Sequence, residues 1–178
     1  MKKLSHKEIL KTKPTVAKVK KKKRNPFYVI LDNVRSLYNV GAIFRTSDAV
    51  LVEKIYLCGI TGCPPRKEIS KTALGAEEIV PWEHRDSVVE VVKELKKKGV
   101  EIVAVEIAHK AEVYHKADYN FPVCFILGHE VNGIGDEVMK TVDRAIKIPM
   151  LGRANSLNVA TAYGVIVYDA LEKFSSGT

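Results

Sequence analysis

The 178-residue sequence contains no uninterrupted apolar run near the roughly 18–20 residues that cross a bilayer. The N-terminus is basic, but no apolar stretch follows it to form the h-region of a secretory signal. Cysteine is scarce: Cys58, Cys63 and Cys124 are an odd number without a CxxC pair. No disulfide framework is therefore expected, and the reading is a cytoplasmic protein with reduced thiols. No metal-ligand spacing is present either. His129-Glu130 opens like HExxH, but Gly133 stands where the second histidine belongs.

Acid is nearly absent from the first 25 residues, where Glu8 alone faces 11 Lys and Arg, a net charge of +10. The rest of the chain carries 18 basic and 20 acidic side chains, so the overall +8 is a basic arm on a near-neutral body. The arm, 1–25, includes Lys20, Lys21, Lys22, Lys23 and Arg24 in succession. Like charges at this density resist compaction, and the expectation is a flexible or weakly helical segment. Such an arm either only solubilises the protein or neutralises phosphates, with affinity that falls as salt rises. It lacks the apolar face of an interfacial helix, which favours nucleic acid over a membrane.

The body, 26–178, alternates strand and helix patterns. Phe27 to Leu31 and Val123 to Leu127 are short continuous apolar runs of the kind covered on both faces. Further strands are expected at Lys54 to Cys58, Val100 to Val105 and Ala145 to Ile148. A helix is expected from about Gly41 to Val50. Another follows Asp86, with Val88, Val91, Val92 and Leu95 at i, i+3, i+4, i+7. The last helix, from about Asn155 to Lys173, carries two apolar stripes: Leu157, Ala160, Gly164, Val167 and Leu171, then Val159, Ala162, Tyr163, Ile166 and Ala170. One sheet covers only one of them, so a partner subunit is expected on the other. The β-α-β order predicts an α/β fold, a mainly parallel sheet with helices on both faces.

Ligands of such sheets bind at the carboxyl ends of the strands, where three polar clusters fall. The first runs from Asn33 through Arg35 and Asn39 to Arg45. Singly, Asn39 reads as a helix cap and Arg45 as a surface residue paired with Asp48. The second, Leu127 to Gly135, carries three glycines and Glu130, but lacks both the dinucleotide spacing and a P-loop GK[ST]. The third, Ile148 to Asn158, holds Asn155 and Ser156 as candidate caps and leaves Asn158 unexplained. No Ser–His–Asp or Cys–His set accompanies them.

Together the NxRxxxNxGxxxR stretch (33–45), the LGxExxG stretch (127–133) and the IPMxGxxxSLNVA stretch (148–160) resemble the three motifs of the SpoU/TrmH family of RNA ribose 2′-O-methyltransferases, in the SPOUT superfamily. The similarity spans 27 to about 173; the family often has Ser where Ala160 stands. It implies a C-terminal segment threaded into a trefoil knot, which no sequence pattern alone would propose. It implies S-adenosylmethionine held by Gly128, Ile148 and Leu157 with Leu127 and Met150 adjacent, and a homodimer joined through the first and last helices. Arg45, acting across that dimer, is implied as the catalytic cation, assisted by Asn39, Glu130, Ser156 and Asn158, with Glu130 orienting Arg45 or the loop. Arg35 and the charge-run residues Lys20, Lys21, Lys22, Lys23 and Arg24 are the candidate RNA contacts. The compact chain looks closer to the tRNA enzymes, in particular those modifying a D-loop guanosine. An rRNA enzyme and a non-catalytic RNA-binding homologue are the alternatives.

Overall fold

The computed structural model describes residues 1–177. The arm forms two short helices, α1 (His6–Thr12) and α2 (Val16–Lys20), neither with a buried residue. Ser5 and Glu8 close a reciprocal capping box on α1, and Pro14, which has no N–H to offer, separates the pair. The body begins at β1 (Asn25–Asp32), followed by α3 (Leu37–Ala49), β2 (Val52–Cys58), α4 (Lys67–Ala73), β3 (Trp82–Arg85) and α5 (Val88–Lys97). Then come β4 (Glu101–Val105), β5 (Glu112–Val113), β6 (Val123–Leu127), α6 (Asp136–Met139), β7 (Arg144–Lys147) and α7 (Val159–Ser176).

The seven strands form one sheet in the order β3-β2-β1-β6-β4-β7-β5, and every pairing is parallel. Alternate residues of β1 and β6 feed opposite faces. Phe27, Val29, Leu31 and Phe125 pack with Val40, Ile43 and Phe44 of α3 and Tyr163, Ile166 and Val167 of α7. Ile30, Cys124 and Ile126 pack with Val88, Val91, Val92 and Leu95 of α5. Both faces being covered is why these strands read as unbroken apolar runs. A hydrogen bond between Ser47 Oγ and Tyr163 Oη, 2.8 Å and fully buried, ties α3 to α7.

Three expectations need correction. Helix α3 begins at Leu37, not Gly41, because Ser36 caps it by accepting from the Asn39 N–H. Gly41 lies inside that helix, where a Cβ would sit 2.3 Å from the Ile69 carbonyl oxygen of α4. Helix α7 begins at Val159, not Asn155, and its N-cap is Asn158, whose Oδ1 accepts from the Ala160 and Thr161 N–H groups at 3.0 and 3.3 Å. The chain from Pro149 to Asn158 is irregular, and its Met150, Ser156, Leu157 and Asn158 line the cavity described below. Arg24 is no free cation of the arm: its guanidinium donates to the Val52 and Ile79 carbonyls at 2.9 and 2.8 Å and pins the start of β1.

Candidate active site

The carboxyl end of β1 is braced by buried polar groups. Thr61 Oγ1 donates to the Leu31 carbonyl and accepts from the Val34 N–H, both at 3.0 Å. Asn33 takes a left-handed backbone (φ 57°), with its Oδ1 accepting from the Ile60 N–H at 3.0 Å. Asp32 is buried beneath this turn; burial pushes its carboxyl up, against hydrogen bonds from the Gly135 N–H and Asn33. These contacts fix where residues 34–36 enter α3.

The carboxyl end of β6 turns back at once. His129 and Gly133 exchange two backbone hydrogen bonds at 3.1 and 2.9 Å, and His129 Nδ1 accepts from the Val131 and Asn132 N–H groups. A Cβ on Gly128 would stand 2.3 Å from the Gly133 carbonyl carbon, so the hairpin closes only over glycine.

One hydrogen-bonded chain joins the three clusters. Glu130 accepts from the Arg35 N–H (3.0 Å), the Ser36 N–H (3.0 Å) and Asn39 Nδ2 (3.1 Å). Asn39 Oδ1 in turn accepts from Asn158 Nδ2 at 3.0 Å. Burial opposes charge on Glu130, but the Arg35, Ser36 and Glu130 N–H groups and Asn39 outweigh it, and the carboxyl is held below its ordinary value. A carboxylate holding these donors is a brace, not a proton acceptor. It orients the N-terminus of α3 through Asn39, and within one chain it makes no contact with Arg45.

This chain borders a cavity of about 380 Å3, within the usual size of small-molecule sites. Leu127, Gly128, Ile148, Met150 and Leu157 all line it, as do Glu130, Ser156 and Asn158. Its backbone wall at Gly128 and Gly133 and the apolar surfaces of Leu127, Ile146, Ile148 and Val159 suit a flat nucleoside with few polar anchors. S-adenosylmethionine fits this lining. Of the five residues assigned to catalysis, Arg45 alone neither lines the cavity nor joins the hydrogen-bonded chain. It is exposed on α3, six residues beyond Asn39 and therefore ~9 Å down the helix axis. No hydrogen bond or ion pair is made by its guanidinium among the described residues, Asp48 included. Glu106 and Lys147 also line the cavity and were not singled out from the sequence. A lone acid straight after an apolar strand, Val105-Glu106, was the available signal for the first.

The profile of the SpoU rRNA methylase family matches residues 26–168. The chain belongs to that family. A tRNA (guanosine(18)-2′-O)-methyltransferase of Aquifex aeolicus is 34% identical over 152 residues, 85% of this chain and 72% of the relative. The crystal structure of the A. aeolicus TrmH/SpoU tRNA modifying enzyme superposes with a TM-score of 0.82 at 32% identity, covering 91% of this chain and 82% of that one. An AdoMet-bound rRNA methyltransferase from Sinorhizobium meliloti gives a TM-score of 0.79 at 29% identity over 86% of this chain and 59% of its own. SpoU relatives thus include enzymes named for tRNA and for rRNA, and the all-parallel sheet with helices on both faces is theirs.

Proposed function

We propose that the chain is an S-adenosylmethionine-dependent RNA methyltransferase acting on a ribose 2′-hydroxyl, with tRNA, and a D-loop guanosine within it, as the favoured substrate. The observation that carries this reading is the hydrogen-bonded chain Glu130–Asn39–Asn158, which joins three separate strand ends at the rim of a nucleoside-sized cavity. A cation-rich surface beside it supports an RNA substrate. Arg35, Arg66, Lys67 and Lys71 are exposed and outside every ion pair among the described residues. Lys71 Nζ lies 5.9 Å from the ring centroid of Tyr38, itself half exposed, giving a stacking face with charge beside it.

S-adenosylmethionine, when bound, supplies an electrophilic methyl group. The chain supplies position and charge. Gly128, Ile148 and Leu157 would hold the nucleoside with Leu127 and Met150, Ser156 and Asn158 would hold the ribose side from the lining, and Asn39 fixes Asn158 and Glu130 in place. Much of the acceleration comes from holding the hydroxyl in line. Arg45 stabilises the charge developing on that oxygen; a guanidinium keeps its proton in proteins and so acts electrostatically, not as a base.

Arg45 reaches a cavity only if a second copy brings the two together. The outward face of α7 carries Thr161, Gly164, Val165 and Tyr168, with open space over Gly164, and α3 lies beside it. We place the homodimer contact on these two helices, the trefoil threading in the segment that leads to α7, the RNA-guiding role in the arm 1–25, and the protein in the cytoplasm. No helix among the described residues is long and apolar enough to cross a membrane.

Transfer of labelled methyl from S-adenosylmethionine to purified tRNA and rRNA tests the reading. Mass spectrometry of the digested product should show a 2′-O-methylated nucleoside from tRNA. Label confined to rRNA would change the substrate, and tight RNA binding without label would leave a non-catalytic homologue.

A further inference from the structure

We infer that Glu106 makes the cavity selective for charge, favouring the cationic methyl donor over its demethylated product. The inference rests on the reading that the cavity holds S-adenosylmethionine. Glu106 leaves β4 with its N–H still paired to the Ile146 carbonyl at 3.0 Å, and its side chain turns into the cavity wall. Oε1 accepts from the Ile107 N–H at 2.8 Å and Oε2 from the Ile134 N–H at 3.0 Å. Gly133 leaves room for it: φ there is +66°, and a Cβ would stand 2.3 Å from Oε2. Any side chain at 133 would displace the carboxylate, so its place is built into the fold. Each carboxylate oxygen has two acceptor sites and uses one here, which leaves capacity towards the cavity.

The acidic and basic side chains of the lining are Glu106, Glu130 and Lys147, besides His129. Glu130 holds three donors from α3 and its entry, whereas Lys147 makes no hydrogen bond or ion pair among the described residues. Two carboxylates against one ammonium give the wall an excess of one negative charge. S-adenosylmethionine carries a sulfonium, an ammonium and a carboxylate, a net +1. In the transfer the methyl carbon bonds to the ribose oxygen, the hydroxyl proton passes to solvent water, and sulfur keeps the electron pair of the broken S–CH3 bond. The product S-adenosylhomocysteine is therefore a thioether of net charge zero. Donor and product differ by one methyl and one positive charge, and a donor bound in this cavity would carry that charge in a space that Glu106 lines. Donor affinity gains from the carboxylate and product affinity does not.

The test is calorimetric binding of S-adenosylmethionine and S-adenosylhomocysteine, without RNA, to the full chain and two variants. Glu106→Gln should raise the ratio Kd(donor)/Kd(product) by about five- to tenfold, the effect of one charge several ångströms away at intermediate dielectric. Lys147→Gln removes the opposing charge and should lower the same ratio. A role confined to holding the Ile107 and Ile134 backbone would weaken both ligands together and leave the ratio where it was. Ratios unchanged in both variants, or shifted in the same direction, overturn the inference while the cofactor reading stands. Failure of the wild type to bind either ligand overturns the cofactor reading and the inference with it. Should Glu106→Gln unfold, Lys147→Gln decides alone, and an unchanged or raised ratio sinks the proposal.

Discussion

Glu130 sits where two opposed effects meet. Partial burial disfavours its charge, and the N–H groups of Arg35, Ser36 and Glu130 with the Asn39 amide favour it more strongly. A carboxyl whose folded pKa lies below its unfolded value contributes stability that is fully present above the unfolded value, near 4.3, and is lost as pH falls through the folded one. Glu130→Gln should therefore destabilise the protein near neutrality and converge on the wild type in acid. The carboxylate is exposed, so solvent screening limits the loss to about 0.5–1 kcal/mol. Urea unfolding of both proteins from about pH 3.5 to 7 checks this; a difference that persists unchanged at the acid end would show that the charge is not what matters. That Glu130 stands in a tight glycine turn at a strand end was legible from Gly128, Gly133 and the apolar run before them. What it does was not, because its three donors lie more than ninety residues away in sequence. Arg24 shows the same limit in reverse. It reads as the last member of a charge run, and only the folded chain gathers the Val52 and Ile79 carbonyls that hold it.

At the scale of elements, period and length decide what a sequence reveals. Strands β1 and β6 and the apolar face of α5 stand out because each repeats one instruction over several residues: Val88, Val91, Val92 and Leu95 are all buried together. Helix α4, strands β3 and β5 and helix α6 are too short for any period to emerge, and tertiary contacts hold them. Sequence alone does not place the start of α7, because Asn155, Ser156 and Asn158 are equally good caps in isolation. Asn158 prevails because the residues preceding it border the cavity, and its remaining amide group is bound to Asn39. One side chain thus caps α7 and ties it to α3. Asn158→Ala should lose both and cost about 1–2 kcal/mol, whereas Asn158→Asp keeps the cap and loses only the tie to Asn39. Thermal unfolding should rank them wild type, Asp, Ala, with methyl transfer impaired in both. An Asp variant as unstable as Ala would show that the tie to Asn39, not the cap, supports the helix.

For the whole molecule, charge and chemistry are separated in space. Parallel strands put the site at their carboxyl ends, while the arm leaves from the amino end of β1, where Arg24 and Asn25 anchor it. In the proposed function the arm is therefore assigned to RNA affinity and not to the choice of nucleotide. Deleting residues 1–23, which spares both anchors, should weaken RNA binding and flatten its dependence on salt by about 0.7–0.9 logarithmic units for each phosphate that is no longer neutralised. Donor binding should persist, and an unchanged salt slope would reduce the arm to a solubility tail. The same geometry places Arg45 ~9 Å along α3 from its own Asn39, and the proposed dimer makes catalysis a property of the assembled pair. Arg45→Ala removes the cation and leaves the cavity; Leu157→Trp fills the cavity and leaves the cation. Each variant alone should be inactive. When the two are unfolded and refolded together, half of the dimers pair one chain of each kind. In those, the Leu157→Trp chain lends Arg45 to the open cavity of the Arg45→Ala chain. One of their two sites is whole, so activity should return to about a quarter of the wild-type level. No recovery on mixing, with dimers confirmed by sedimentation, would place Arg45 and the cavity it serves in one chain.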